Sequence, residues 1–147
     1  MNTTLHKPLD FLRNNQNADG GWGYRPGGMS WVEPTAFGAL ALNSAGGSAE
    51  ALRALGFLKR CQLPDGAVGL GATSTEGCWA AYAALLAFHG LGARAEEEKL
   101  RAWILGFVDS SSSLPLPTIR AIKAEYRIDA SITGWPWMHS PGCSDSR

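Results

Sequence analysis

The stretch FLRNNQNADGG, residues 11–21, returns 46 residues later as FLKRCQLPDGA, residues 57–67. A repeat of this length that holds two helices is a helical hairpin, which cannot bury its own apolar face and must stack on neighbouring copies. The repeat therefore predicts an array of stacked hairpins. Among the positions that the alignment pairs are Phe11 with Phe57, Gln16 with Gln62, and Asp19 with Asp65.

The first copy reads as a polar-faced helix, a Gly-rich loop and an apolar helix. Leu5, Leu9 and Leu12 keep helical spacing and predict an amphipathic helix that ends near Gln16. WVEPTAFGALALNSAGG, residues 31–47, predicts a second helix that is apolar almost all round, with a proline in its first turn and glycines at its end. Such a helix is expected to be buried.

The second copy has the same order. SAEALRALGFLKRCQ, residues 48–62, predicts a polar-faced helix with Ser48 as N-cap and with Leu52, Leu55 and Leu58 on its apolar face. EGCWAAYAALLAFHGLG, residues 76–92, then predicts another buried helix. A third polar-faced helix, AEEEKLRAWILGFVDSS, follows with its acidic residues at the start, where the helix dipole favours them.

We therefore predict an all-α fold of helical-hairpin repeats in a single domain over residues 1–147. Two hairpins, 5–46 and 48–92, are complete, and a partial third covers 95–137 before a divergent tail at 138–147. The alternation of polar-faced and apolar helices favours two layers, with the apolar helices inside and the amphipathic ones outside.

Charge and cysteine content narrow the class of protein. Thirteen basic and thirteen acidic side chains cancel, and no long run of one sign is present, so nucleic acid is not an expected partner. The three cysteines have no Cys-x-x-Cys spacing, which favours a reducing, cytoplasmic location. The longest apolar stretch, 78–92, is too short for a transmembrane segment, although a peripheral place at a membrane stays open.

An aromatic residue, a Gln, an acidic turn and Gly-Trp follow one another in residues 11–22, and this order resembles the QW repeat of terpenoid cyclases such as squalene-hopene cyclase. GWGYRPGGMSWVEPTAFGALAL, residues 21–42, and ITGWPWM, residues 132–138, resemble the prenyltransferase and squalene-oxidase repeats of the same superfamily, which includes protein prenyltransferases. The resemblance covers most of residues 5–137, with Val68 where an aromatic residue is expected.

That resemblance implies an α/α toroid, in which hairpins form an inner and an outer ring of helices, and this chain would supply about half of the ring. It also implies that the Gln packs on the Trp and bonds to backbone groups at helix ends, which carry unpaired donors and acceptors. The residues expected in this structural motif are Gln16, Asp19, Gly21, Trp22, Gln62, Asp65, Gly66, Gly134 and Trp135.

Catalytic signatures of the resembled enzymes are missing from the sequence. The aspartates are scattered singly, so no Asp-x-Asp-Asp type cluster can hold a strongly acidic proton, and no catalytic residue is predicted. Zinc sites of protein prenyltransferases use an Asp, a Cys and a His, and no Asp-x-Cys pair occurs here. Only His139 and Cys143 in the tail remain as candidate ligands, so we predict neither a metal site nor a cofactor.

Candidate ligand-binding residues lie where each loop leads into an apolar helix. Glu33 and Glu76 either stabilise helix N-termini or act as lone acids at the mouth of an apolar cavity. Trp31, Phe37 and Trp79 either pack in the core or line that cavity, where their π faces would stabilise a cation. Both interpretations are open at the level of sequence.

Two functions follow from these expectations. The first is a repeat segment that forms part of an apolar isoprenoid-type or lipid pocket and has no catalytic residues of its own. The second is the N-terminal half of a squalene-hopene-cyclase-like isomerase or lyase, whose catalytic acid lies in a missing half. Similarity of fold cannot choose between them.

A half ring would leave the apolar side of its inner helices uncovered, so we expect the chain to pair with a second half-toroid or to form a homodimer. Sedimentation equilibrium of the purified chain measures this directly. A monodisperse, soluble monomer at micromolar concentration would contradict the half-ring interpretation.

Overall fold

A computed structural model describes residues 6–106, and apart from Gly106 these belong to one compact unit of the chain. They contain five α-helices and two isolated β-bridges but no strand, which confirms the all-α prediction for this part of the chain. The expectations for Gly134, Trp135, the tail and most of the third hairpin lie outside the described residues. The helices are α1 (His6–Asn14), α2 (Val32–Ser44), α3 (Ser48–Arg60), α4 (Ala81–Gly90) and α5 (Arg94–Gly106).

Helix α2 lies at the centre of the described fold, because it contacts α1, α3 and α4. Small side chains on α2 and α4 are fully buried and let the helix backbones approach closely, while the rings of Phe57 and Phe88 fill the larger spaces of the core. None of the helices between residues 6 and 106 has the length and apolar character that crossing a bilayer requires. The small buried residues of the two apolar helices are Ala36, Gly38, Ala39, Ala81, Ala83, Ala84 and Ala87.

Both apolar helices end in the same way. Gly46 and Gly92 follow their helices with φ values of 81° and 72°. The next residue then donates its backbone N–H back into the helix: Gly47 to the oxygen of Leu42 at 2.7 Å, and Ala93 to that of Phe88 at 2.8 Å. This left-handed termination satisfies carbonyl groups that have no partner inside the helix. It directs the chain from each apolar helix into the next polar-faced one.

Two details of the second repeat differ from the sequence-based predictions. The N-cap of α3 is Gly47, so the prediction that Ser48 is the cap is wrong. The apolar face of α3 is also rotated, because Leu58 is buried whereas Leu52 is mostly exposed. Small side chains face the core instead, and they let α3 lie close to α2. These are Ala51 and Ala54.

The two glutamines of the repeat make the same pair of hydrogen bonds. Nε2 of Gln16 donates to the carbonyl oxygens of Gly20, at 2.8 Å, and Glu50, at 2.9 Å. Nε2 of Gln62 donates to their counterparts 46 residues on, Gly66 at 3.2 Å and Glu96 at 3.0 Å. Each glutamine therefore joins the turn that follows one polar-faced helix to the first turn of the next.

A glycine with positive φ lies beside each glutamine. Gly20, at φ 89°, faces the carbonyl oxygen of Arg53, and Gly66, at φ 94°, faces that of Lys99. In both places an added Cβ would lie less than 3.0 Å from that oxygen. The sequence analysis named Gly21 for this motif, but the counterpart of Gly66 is Gly20.

An aspartate closes each turn. Oδ1 of Asp19 accepts the backbone N–H of Gly21 at 2.9 Å, and Oδ1 of Asp65 accepts that of Ala67 at 3.0 Å. These are Asx-type turns, in which the side chain bonds to the backbone two residues on. Both carboxylates thus have a structural partner in the loop.

The indole of Trp22 connects the two helices of the first hairpin, α1 and α2. Its Nε1 donates to the carbonyl oxygen of Leu12 at 2.8 Å, and its ring lies against Gly38 of α2, where an added Cβ would lie 3.1 Å away. The ring is buried. Val68 is buried at the matching position of the second loop and supplies no side-chain donor.

The two loops place their glycine on opposite sides of the same contact. Gly21 is opposite Ser30, and an added Cβ on this glycine would overlap the serine side chain. In the second loop the small residue is on the other side: Ala67 is opposite Gly77, where an added Cβ would overlap the alanine. Gly77 also faces the ring of Trp103, whose Cζ2 would lie 2.6 Å from the added Cβ, so neither Gly21 nor Gly77 has room for a side chain.

Replacing Gly20 or Gly66 by alanine should destabilise the fold far more than the same change at a glycine with positive φ and open space around it. Gly20→Ala and Gly66→Ala combine left-handed strain, about 1 kcal/mol, with overlap against a backbone carbonyl, about 1–3 kcal/mol more. Gly27→Ala is the matched control, since Gly27 has φ 71° and open space around it. Urea unfolding followed by circular dichroism measures the free energy of unfolding. If Gly20→Ala and Gly27→Ala lower it equally, the close contact between Gly20 and the Arg53 carbonyl does not contribute to stability.

Candidate functional site

Trp31 and Glu33 lie at the start of α2, where the first loop ends. The backbone N–H of Trp31 donates to the carbonyl oxygen of Trp22 at 2.9 Å, which closes the loop into a short bridge. Trp31 is then the N-cap residue of α2, with extended backbone and no side-chain cap bond. Glu33, the second residue of α2, is half-buried in its first turn.

The carboxylate of Glu33 accepts two tyrosine hydroxyls. Tyr24 donates to Oε2 at 2.6 Å, and Tyr82 donates to Oε1 at 2.6 Å. Hydrogen bonds to an ionised acceptor are shorter and stronger than those between neutral groups. Since Tyr24 belongs to the first loop and Tyr82 to α4, Glu33 connects the two repeats at this point.

Each of the two donating tyrosines contacts further aromatic rings. The ring centroids of Tyr24 and Trp31 are 6.5 Å apart, those of Phe37 and Tyr82 are 6.4 Å apart, and Trp79 stacks on Tyr82 at 6.2 Å. We name these five rings together with Glu33 the aromatic face. Its outer rings are accessible: Tyr24 is 61% exposed, Phe37 46% and Trp79 41%.

Four of the five sequence-predicted ligand-binding residues lie on the aromatic face: Trp31, Glu33, Phe37 and Trp79. Glu76 is exposed in the loop, five residues before α4 begins, so it lacks the helix-start position that was expected for it by analogy with Glu33. The reason is that the backbone N–H of Cys78 bonds to the oxygen of Val68 at 3.0 Å, which keeps this segment in the loop.

The sequence analysis missed both tyrosines. Tyr82 had a usable signal, because it follows Trp79 by three residues and such residues lie on the same side of a helical turn. Tyr24 had none, since a loop residue nine positions before its partner follows no period. The structure also bears on the alternative of core packing, because Phe37 and Trp79 are too exposed to be core residues.

Both hydroxyls are held in their protonated, donating form. Partial desolvation, followed by the hydrogen bond to Glu33, raises the pKa of Tyr24 from 10.0 to about 12, although most of the ring is exposed. The hydrogen bond to Glu33 is the main cause that raises the pKa of Tyr82. Deprotonating either tyrosine would place a second negative charge against the carboxylate.

The arrangement offers apolar contact and a negative charge rather than a metal site. Within residues 6–106, no three His, Cys, Asp or Glu side chains are grouped so that they could hold a metal ion. The flat rings provide packing area for a hydrocarbon, and Glu33 provides a carboxylate whose two partners are neutral hydroxyls.

Comparison with known proteins links part of the chain to terpenoid cyclases. A 65-residue segment is 46% identical to drimenyl diphosphate synthase of Streptantibioticus cattleyicolor. The match covers 44% of this chain and 12% of the length of that protein. No protein-family model matches the sequence, and no solved structure matches it. The similarity supports a relationship to terpenoid cyclases at the level of a segment.

Neutralising Glu33 should lower the pH at which Tyr24 and Tyr82 ionise. In the Glu33→Gln variant the charge that opposes tyrosinate formation is gone, whereas Glu98→Gln changes the net charge equally at an exposed site on α5. Ultraviolet absorbance titration in a Tyr126→Phe background, which leaves these two tyrosines, measures their ionisation.

The stability of the folded chain should follow the same titration. Because folding raises the pKa of Tyr24, its contribution is complete below about pH 10 and is lost as the pH rises towards about 12. Unchanged tyrosine titration in Glu33→Gln would show that the two hydrogen bonds are not formed in solution.

Proposed function

We propose that this chain is a terpenoid-cyclase-like repeat segment whose aromatic face forms part of an apolar pocket for an isoprenoid. The observation that carries the proposal is the exposure of several aromatic rings that contact the two tyrosines bonded to one carboxylate, beside two helices that are otherwise largely buried. Exposing apolar ring surface to water is unfavourable, and an apolar ligand that covers the rings removes this cost.

The proposed architecture is a partial α/α toroid. In support of it, α2 and α4 contact each other and carry the small buried residues, whereas α1, α3 and α5 are linked through the two glutamine turns. The aromatic face is then on the inner layer, where a ring of such hairpins would enclose its ligand. Closing that ring calls for a second half-toroid or another copy of the chain, and the proposed location is cytoplasmic.

The segment itself is proposed to have no catalytic residue. Asp19 and Asp65 accept backbone N–H groups in turns, and Glu33 accepts two tyrosine hydroxyls. In this role the aromatic face binds and orients the hydrocarbon, and any acid that protonates it comes from another part of the assembly.

A second function is favoured by the match to drimenyl diphosphate synthase. We propose as the alternative that this chain acts as the N-terminal half of a cyclase-like protein on a prenyl diphosphate or a related isoprenoid, and the match, over 12% of that relative's length, is in keeping with it. Incubation with farnesyl diphosphate or squalene, followed by gas chromatography of the extract, separates the two functions. Cyclised product would establish the enzyme, and bound but unchanged ligand would support the binding segment.

Phe37 should contribute directly to isoprenoid binding. Replacing it with leucine keeps an apolar side chain but removes the ring, and should weaken farnesol binding about fivefold, equivalent to about 1 kcal/mol. Phe11→Leu is the matched control, because Phe11 is 53% exposed on α1, outside the aromatic face. Isothermal titration calorimetry measures both; equal losses in the two variants, or no binding by the unmodified chain, would reject the pocket.

A further inference from the structure

The base of the first loop is held by hydrogen bonds on both sides. The backbone N–H of Trp31 donates to the oxygen of Trp22 at 2.9 Å. Nδ2 of Asn17 donates to the oxygen of Gly28 at 2.8 Å. Gly23 lies so close to the opposite side of the loop that an added Cβ would be 2.7 Å from a carbonyl oxygen there. The two ends of the loop are therefore fixed to each other and to the turn that precedes them.

The tip of this loop, residues 24–27, is attached by one side chain. All four residues are exposed, and Gly27 has open space around it. A backbone hydrogen bond of 3.0 Å closes the turn at the tip itself. Within the described part of the chain, the hydrogen bond that joins the tip to another element is that of Tyr24 to Glu33, and the Tyr24 ring also contacts Trp31. The position of the tip therefore depends on Tyr24.

The second loop is attached through its backbone instead. The carbonyl oxygen of Leu70 accepts the backbone N–H of Val32 at 2.9 Å, which joins this loop to the start of α2. Ser74 closes its turn, because Oγ accepts the N–H of Gly71 and the backbone N–H of Ser74 donates to the Gly71 oxygen, both at 3.1 Å. Exposed side chains change rotamer within picoseconds to nanoseconds, whereas the backbone of a loop moves more slowly. Of the two loops, the first is therefore the one whose tip detaches more readily.

The tip lies beside the half-buried part of the aromatic face. Tyr24 contacts Trp31 and Glu33, which are both half-buried. Phe37 on α2 and Tyr82 on α4 are exposed. We propose that the tip acts as a lid on Trp31 and Glu33, that the hydrogen bond of Tyr24 to Glu33 holds it closed, and that a ligand displaces it to reach Trp31. The proposal deepens the function proposed above and rests on it for the identity of the ligand.

A lid of this kind lowers the apparent affinity for the ligand, because only molecules with an open lid are competent to bind. The bond that closes it is a strong one, since hydrogen bonds to an ionised carboxylate are stronger than those between neutral groups. Tyr24→Phe removes that bond and keeps the ring that contacts Trp31. The tip of this variant should therefore be open in a larger fraction of molecules than in the unmodified chain.

Cleavage by chymotrypsin after residue 24 measures this opening in the absence of any ligand. The protease has a hydrophobic pocket that accepts Tyr and Phe alike, and its rate follows the population of the open form. Tyr24→Phe should raise the rate at this bond about tenfold. Glu33→Gln weakens the same hydrogen bond from its acceptor side and should also raise the rate. Mass spectrometry of the fragments identifies the bond that is cut.

Tyr82→Phe is the matched control for cleavage. It removes the other hydrogen bond to the Glu33 carboxylate but lies on α4, outside the loop, so the rate after residue 24 should change by less than about twofold. Circular dichroism and thermal unfolding establish that each variant is folded. If Tyr24→Phe is cleaved no faster than the unmodified chain, or if Tyr82→Phe is accelerated equally, the hydrogen bond of Tyr24 does not hold the tip closed and the proposal is overturned.

Stopped-flow binding of farnesol, followed by tryptophan fluorescence, tests the role of the tip in ligand entry. Tyr24→Phe should raise the association rate constant about tenfold, in step with the cleavage rate, and leave the dissociation rate constant nearly unchanged. Equal association rate constants in the variant and the unmodified chain would overturn the lid while the isoprenoid pocket stands. If farnesol does not bind at all, the pocket of the proposed function is wrong, and the cleavage rates still decide whether Tyr24 holds the tip.

Discussion

The hydrogen bonds of two glutamine side chains to backbone carbonyls hold the rest of the described structure in register. Gln16 and Gln62 each bond both to their own turn and to the first turn of the following polar-faced helix. Nε and Nη2 of Arg53 also donate to Oε1 of Gln16, so both the nitrogen and the oxygen of this side-chain amide are hydrogen-bonded. Because these bonds fix the spacing between successive polar-faced helices, they also fix where the apolar helices between them must pack.

The aromatic face is a consequence of that spacing. Tyr24 comes from the loop of the first repeat, Glu33 from α2, and Tyr82 from α4 of the second repeat. A single hairpin could not assemble it, because two of the contacts to Tyr82 come from α2. The loop turn, the close contact between α2 and α4, and the position of the carboxylate therefore belong to one arrangement.

The sequence was sufficient for features that repeat and insufficient for those that do not. Helical spacing and the 46-residue repeat predicted the helices, whereas Trp31, Glu33, Phe37 and Trp79 were chosen because they lie where a loop leads into an apolar helix. Gly20 was missed although the 46-residue shift pairs it with Gly66, because the Gly-Trp step of the resembled motif directed attention to Gly21. The start of α4 was placed too early because the backbone N–H of Cys78 bonds to the oxygen of Val68, so the chain stays in the loop until Ala81. The bond between Tyr82 and Glu33 spans 49 residues and has no local signature.

The exchange of small residues between the two loops has a consequence for how such repeats can vary. Gly21 faces Ser30 in one loop, and Ala67 faces Gly77 in the other. A substitution that replaces the glycine of either pair with a larger residue creates a steric overlap, and one that replaces its partner with glycine leaves a cavity. Changing one member of a pair alone therefore makes the loop less stable. Both members lie in the same loop, so a loop moved from one repeat to the other carries its own pair. The second loop also brings Gly77 against the ring of Trp103 on α5, and it fits only beside that ring.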